Sequence, residues 1–283
     1  MTGVTVSIEA VTRILEETAA EEVLPRFRTL GEEDKRTKEG GEVVTVADEA
    51  AERRLTQRLH DLLPGSLVVG EEAAAADPRV LERLLQDEAV WLIDPIDGTS
   101  NFAQGVPVFA MMLALIERGE ICAAWIHDVP GARTGVAERG SGSWIAGQRL
   151  QVAASAPIGK MTGTLHAGQF GGRELRDRIR AKRRTLGAIR SLRCAGAEYL
   201  RLAGGEMHYS LFTKLMPWDH APGVLLHAEA GGQAWTAEDR PYSPRRRESR
   251  GLLLAPDKAS WHALHAELYG DAPLSLDGTP GGP

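Results

Sequence analysis

The sequence predicts an α/β protein in two lobes, the first running from helix into sheet and the second alternating helices with strands. Three observations carry this expectation. Residues 7–30 place Ile8, Val11, Leu15, Val23 and Phe27 at helical spacing. The runs AVWLID, VFAMMLALIE and ICAAWIHD are short, apolar and of strand length. From about Gly159, helical patterns alternate with short apolar runs, which is the signature of an α/β arrangement. With 283 residues, 43% of them hydrophobic, the chain can build one large domain or two lobes sharing a core. The expected division is 1–155 for the first lobe, 156–270 for the second, and a Gly- and Pro-rich tail over 271–283 with little to bury.

Each element has a local cause. The first helix meets Pro25, which bends or ends it. After the polar stretch KRTKEGGE, a short strand passes into a helix whose Ala51, Leu55, Leu59 and Leu62 share a face. Thr45 and Asp48 have capping-box spacing at its start, and Pro64-Gly65 stops it. SLVVG is a strand emptying into Glu71-Glu72. Asp77-Pro78 reads as an N-cap and first residue of a helix through Leu81, Leu84 and Leu85. Arg118-Gly119 joins two long strands as an antiparallel hairpin. In the second lobe the pattern gives a basic helix near 173–183, a strand AIRSLRC, a helix GAEYLRLAGG, a strand around MHYSLFT, a helix from Trp218 to Ala230 and a strand GLLLAP.

Composition excludes several function classes. A net charge of −6 argues against a broad nucleic-acid surface, which needs many Lys and Arg against phosphates. The basic runs Arg176 to Arg184 and Arg240 to Arg250 read as a solvated helix face and a turn-rich loop. No apolar run approaches the roughly 20 residues that span a bilayer. The N-terminal segment carries acids where a signal peptide carries bases, so a cytoplasmic protein without membrane contact is expected. Cys122 and Cys194 lie far apart without metal-ligand spacing and read as reduced thiols outside any chemistry.

The chemistry concentrates in Asp94-Pro95-Ile96-Asp97-Gly98-Thr99-Ser100, directly after a buried strand. A helix starting at Gly98 or Thr99 presents free N–H groups and its positive dipole end to a phosphate dianion. Two carboxylates beside an anion site repel it unless cations intervene, so the segment makes sense with metal between them. Gly70-Glu71-Glu72 and Trp218-Asp219-His220 supply further acids at a strand end and a helix start. Oxygen-only donors without neighbouring Cys or His select hard cations such as Mg²⁺ over zinc.

On these residues the sequence resembles the inositol monophosphatase family. The likeness runs over about residues 8–265 and rests on GEE at 70–72, WLIDPIDGTSNF at 91–102 and WDHAPGVLLHAEAGG at 218–232, with Lys38 and VTVAD at 44–48 resembling the family's loop near a third metal. The resemblance implies a layered α-β-α-β-α sandwich of the inositol monophosphatase / fructose-1,6-bisphosphatase type, usually a homodimer, with two or three Mg²⁺ ions per site and sensitivity to lithium. Glu71, with Glu72 beside it, would bind metal and orient the attacking water. Asp94 would bridge two ions, the Ile96 carbonyl and Asp97 would bind metal, and Asp219 would complete the set. Thr99 and Asp48 would position the water, Gly98, Thr99 and Ser100 would receive the phosphate, and Lys38 with Asp48 would border the third ion.

The implied function is Mg²⁺-dependent hydrolysis of a small phosphorylated metabolite of inositol-phosphate type. Fructose 1,6-bisphosphate, histidinol phosphate and 3′-phosphoadenosine 5′-phosphate are alternatives. A non-catalytic sensor of a phosphorylated ligand has no need of a full water-activating acid set. An RNA-associated regulator would act through the 240–250 loop, with steeply salt-dependent binding. The resemblance weakens at the alcohol end of the substrate, where the position of the family's sugar-binding glutamate falls on Phe212. Phe212 reads either as core or as a stacking surface, and Lys214 with Arg193 would favour a second anionic group. Gly196 and Ala197, small residues in the second-lobe helix, are candidates for backbone contact with substrate.

Overall fold

The computed structural model describes residues 6–38, 41–166, 173–246 and 251–270. Helix α1 (Ile8–Thr18) starts at Ser7, whose hydroxyl accepts from the Ala10 N–H at 3.1 Å. A π turn over Ala19–Val23 and a 3₁₀ turn over Leu24–Arg26 continue it, and the chain leaves helical geometry just after Pro25. Strands β1 (Lys35–Thr37) and β2 (Val43–Thr45) form an antiparallel ribbon leading into α2 (Val46–Leu62). The capping box is present: Thr45 caps α2 and its own N–H donates to Asp48 Oδ2 at 2.8 Å.

Next come β3 (Leu67–Gly70), α3 (Glu71–Ala76), β4 (Val90–Asp97), α4 (Thr99–Ala103), β5 (Ala110–Glu117) and β6 (Glu120–Asp128). The expected helix after Asp77 winds instead as 3₁₀ turns over Pro78–Leu85, a long run for that winding, still capped by Asp77. Strands β7 (Arg133–Glu138), β8 (Gly142–Ile145) and β9 (Gln148–Arg149) complete a seven-stranded sheet in sequence order, in which only β3 and β4 run parallel.

The second sheet is built from β10 (Gly163–Leu165), β11 (Ala188–Ile189), β12 (Tyr209–Phe212), β13 (Gln233–Thr236), β14 (Arg240–Pro241) and β15 (Leu252–Ala255), in the order β11-β10-β12-β15-β13-β14. Helix α5 (Arg173–Lys182) lies between β10 and β11 in sequence, while α6 (Ala195–Ala203), α7 (Pro217–Glu229) and α8 (Lys258–Tyr269) follow. The strand expected over AIRSLRC pairs only at Ala188 and Ile189. Beyond them the chain peels away, because the Leu192 N–H donates to Glu198 Oε1 at 3.0 Å and Arg193 has φ +57°, outside strand geometry.

Three apolar cores define the layers. One joins α1 and α2 to one face of the seven-stranded sheet through Leu15, Leu55, Leu59, Trp91, Leu113 and Trp125. A second fills the space between the sheets, with Leu92, Met112, Ile126, Tyr199, Leu225 and Leu254 meeting around α6 and α7. The third packs α5 and α8 on the outer face of the six-stranded sheet through Ile179, Leu211, Leu253, Trp261 and Leu264. Read across, the molecule is an α-β-α-β-α sandwich. The basic run on α5, expected from sequence to be a solvated helix face, is not wholly solvated. Arg178 donates to the Tyr269 carbonyl, Lys182 pairs with Glu267 at 2.6 Å, and Arg183 donates to the Leu165 carbonyl, so the run also fastens α5 to α8 and β10. Arg245 likewise anchors its loop by donating to the carbonyls of Leu84 and Gln86; residues 247–250 of that run, and the tail over 271–283, lie outside the described residues. Among the described residues no helix is long and apolar enough to cross a membrane.

Candidate active site

The site forms where β4 leaves the sheet. Asp94 stands opposite Met112 and Asp97 opposite Ala110, so three steps along β4 match two along β5. In a regular strand, positions three apart face opposite sides; the extra residue of this bulge brings both carboxylates to the same side. The chain then turns through Gly98 at φ +86°, where an added Cβ would lie 3.0 Å from the Val108 carbonyl oxygen, and enters α4. The first N–H groups of α4 have no partner within the helix. The Thr99 hydroxyl lies 2.8 Å from the Ile96 carbonyl and 3.1 Å from Asp48 Oδ1, and its single hydrogen serves one of them at a time.

Glu71, at the start of α3, and Asp219, in the first turn of α7, converge on Asp94: carboxylate oxygens of these three lie within 4.8 Å of one another. Asp94 Oδ1 is buried without a hydrogen-bond partner among the described residues. Burial, then the charges of Glu71, Asp97 and Asp219, push Asp94 well above the usual carboxylate range, and burial with Glu71 and Asp97 does the same to Asp219. Asp48 is raised to about 7, chiefly by burial and against the hydrogen bonds it accepts from Thr45. An orphaned buried oxygen in a set of mutually repelling carboxylates, with no sulfur or imidazole in the cluster, fits a hard divalent cation. Asp97 lies outside this trio. Its Oδ2 accepts from the Gly196 N–H at 2.5 Å and from the Cys194 thiol at 3.0 Å; burial raises its pKa against these bonds.

Lys38 lies between Glu71 and Glu72, with Nζ at 2.8 and 2.7 Å from their Oε1 atoms. Burial opposes its charge, but the two carboxylates outweigh burial and hold it protonated more firmly than a free lysine. One residue of the site had been overlooked in the sequence. Glu52, buried on α2, accepts from the Glu72 N–H at 2.7 Å and the Ala73 N–H at 2.8 Å, one with each carboxylate oxygen. It thereby caps α3 and fixes the turn that carries Glu71. Gly70 makes room for it, since a Cβ there would sit 2.3 Å from the Glu52 carboxyl carbon. The readable signal was that Glu52 follows Asp48 by one helical turn on the face turned toward the acids.

Two adjoining cavities open from this point. The first, about 260 Å³, is lined by Glu71, Asp94, Ile96, Asp97, Gly98, Thr99, Ser100, Arg193, Lys214 and Asp219, among others. The second, about 570 Å³, shares Asp97, Arg193, Lys214 and Asp219 with it and extends to His166, Arg183, Cys194, Ala195 and Phe212. Gly196 and Ala197 line neither cavity, contrary to expectation. Their N–H groups are taken by Asp97 and by the Cys194 sulfur, at 3.4 Å for Ala197, and Cys194 and Ala195 border the cavity in their place. Phe212 is 5% exposed and stacks against His166 and Tyr199 with ring centroids 4.9 and 5.3 Å apart, so it is a core ring whose edge closes the second cavity. Beneath, Glu198 is fully buried; burial would raise its pKa, yet hydrogen bonds from His166 and Thr164 and the Leu192 N–H hold it below the usual range.

Comparison with known proteins decides the family, because the model of the inositol monophosphatase family matches residues 5–273. The chain belongs to the inositol monophosphatase family. It is 30% identical over 192 residues to fructose-1,6-bisphosphatase/inositol-1-monophosphatase of Thermotoga maritima, covering 68% of this chain and 70% of that one. To inositol-1-monophosphatase of Rhizobium meliloti it is 33% identical over 202 residues, covering 69% and 72%. The fold matches a solved Thermotoga maritima IMPase with a TM-score of 0.78 at 24% identity, over 92% of this chain and 95% of that one. This inositol monophosphatase family member is therefore a phosphomonoester hydrolase, and metal dependence, usually on Mg²⁺, is general to its family.

Proposed function

We propose that the protein hydrolyses a small phosphorylated metabolite with Mg²⁺ held by Glu71, Asp94, Asp97, Asp219 and the Ile96 carbonyl. The observation carrying this reading is the convergence of Glu71, Asp94 and Asp219 around the unpartnered Asp94 Oδ1. When bound, the cations supply the positive charge that makes water a nucleophile near neutral pH and stabilises the developing charge on phosphoryl and leaving oxygens.

The chain's own groups do the positioning. Thr45 holds Asp48 through two hydrogen bonds to Oδ2, leaving Oδ1 to Thr99. Whichever acceptor takes its hydrogen, the Thr99 oxygen keeps a lone pair to accept from the attacking water. The N–H groups of Gly98, Thr99 and Ser100 receive the phosphate, and neither Asp48 nor Thr99 needs to form a covalent intermediate. Lys38 balances Glu71 and Glu72 and, with Asp48, would border any third ion.

Two features support a reading as catalyst over a sensor of phosphorylated ligands: the Asp48–Thr99 pair and the acid trio serve water activation, and binding alone requires neither. The test is phosphate release from a panel of inositol, sugar, histidinol and nucleoside 3′,5′-phosphates, in Mg²⁺ and in chelator. Mg²⁺-dependent release from at least one supports the reading. A folded protein that binds Mg²⁺ and releases phosphate from none would favour the sensor.

A further inference from the structure

Arg193 occupies a left-handed conformation, φ +57°, that costs any side-chain-bearing residue and is ordinarily left to glycine, asparagine or aspartate. The surroundings fix it there. Its N–H donates to Ser191 Oγ at 3.0 Å, and Asn101 Nδ2 donates to the Leu192 and Arg193 carbonyls at 2.9 and 3.4 Å. A strained backbone held this firmly at a cavity rim points to a use for the side chain. Arg193 is exposed and lines both cavities.

The other cations of the second cavity are already engaged. Lys214 is ion-paired with Glu42, Arg183 donates to the Leu165 carbonyl, and His166 bonds Glu198 at 2.8 Å. Arg193 alone among these four has no side-chain partner among the described residues. The second cavity also offers few acceptors for hydroxyl groups. Phe212 presents a ring, Asp97 and Asp219 belong to the proposed metal set, Glu42 faces Lys214, and the hydroxyls of Ser191 and Thr213 already bond Glu198 and the His166 carbonyl. A polyol would find little to donate to, whereas a planar guanidinium matches a carboxylate or phosphate with two parallel hydrogen bonds.

We propose that Arg193 is a specificity-determining residue that binds a second anionic group on the substrate, remote from the phosphate that is cleaved. The proposal rests on the phosphatase reading. It shifts to Arg193 the role that sequence alone gave first to Lys214.

The test compares two pairs with Mg²⁺ present: fructose 1,6-bisphosphate against fructose 1-phosphate, and 3-phosphoglycerate against glycerol 3-phosphate. The first pair reports a second phosphate, the second a carboxylate. The wild type is expected to prefer the doubly anionic member of at least one pair by about tenfold or more in kcat/KM. Arg193→Gln should reduce that preference about tenfold, mainly through KM, equivalent to about 1.4 kcal/mol. Arg193→Gly should also lose the preference while melting no lower than wild type, because glycine relieves the strained φ. Equal turnover within both pairs by the wild type overturns the proposal. So does an equal loss on singly and doubly anionic substrates in Arg193→Gln, which would assign the guanidinium to the cleaved phosphate. Either result leaves the phosphatase reading standing; no Mg²⁺-dependent release from any of the four overturns this proposal, and the phosphatase reading falls only if the wider panel fails as well.

Discussion

Replacing Glu52 with glutamine tests whether the acid trio is held in place from behind. Each oxygen of Glu52 accepts one N–H at the start of α3, at 2.7 and 2.8 Å. Glutamine keeps one of these bonds and turns an amide N–H toward the other donor. The loss is one hydrogen bond to a charged acceptor, about 1.5–3 kcal/mol, with a buried N–H left unsatisfied. Burial and, after it, the charges of Glu72 and Glu71 raise the Glu52 carboxyl to about 7, so relief of the cost of keeping it ionised offsets part of the loss. A net loss of about 2 kcal/mol lowers the melting temperature of a chain this long by about 4 °C. If the same energy is what keeps Glu71 facing Asp94, the Mg²⁺ concentration for half-maximal activity rises by up to about 30-fold. Thermal melting in chelator gives the first quantity, and a Mg²⁺ titration of turnover at saturating substrate gives the second. Lower stability with unchanged Mg²⁺ dependence would refute the positioning role, and no change in either would refute the hydrogen-bond argument itself.

Two further outcomes follow from burial and charge. Burial raises Asp94, Asp219 and Asp48 above their unfolded values, so between about pH 4 and 7 these three carboxylates bind more protons in the folded protein than in the unfolded chain and, without metal, contribute less stability as pH rises, while the buried His220 and His227, depressed to about 4, contribute in the opposite sense. Cations compete with those protons. The rise in melting temperature on adding saturating Mg²⁺ should therefore grow from about pH 5 to about pH 7.5, and a flat or falling increment would contradict the clustered-carboxylate account. Phe212→Ala should destabilise the protein by about 3–5 kcal/mol in chemical denaturation, because the ring is sandwiched in the core; a loss below about 1 kcal/mol would make it a surface ring.

What the sequence made legible was what local chemistry determines. Thr45 and Asp48 announced the cap of α2, Arg118-Gly119 the hairpin between β5 and β6, and Asp94 and Asp97 after an apolar run the end of β4. The acids that meet at Asp94 come from three distant segments, and their grouping was readable only through resemblance to a family. Strands β7 to β9, β10, β13 and β14 escaped notice because they are two to six residues long and mostly interrupted by turn residues, so periodicity has too few positions to register. Helix α8 carried a signal that was missed: Asp257, whose carboxylate accepts from the Ser260 N–H at 2.7 Å, is an ordinary N-cap before Trp261, Leu264 and Leu268. Glu52 was the hardest to read, because a glutamate on a helix looks solvated and only the packing of α2 against α3 gives it its position. Arg193 was legible only as a companion of Lys214, and the turn after β11 is what sets it at the cavity rim.

The most direct measurement is phosphate release by Asp94→Asn beside the wild type, at saturating Mg²⁺ and on the wild type's best substrate. Asparagine fills the same volume but removes the charge at the centre of the acid trio. The account predicts a folded protein with almost no turnover, well below a tenth of the wild-type rate on the order-of-magnitude scale expected when metal-ion catalysis is lost. A folded variant that keeps more than about a tenth of that rate would show that the cations, or the chemistry, are held elsewhere.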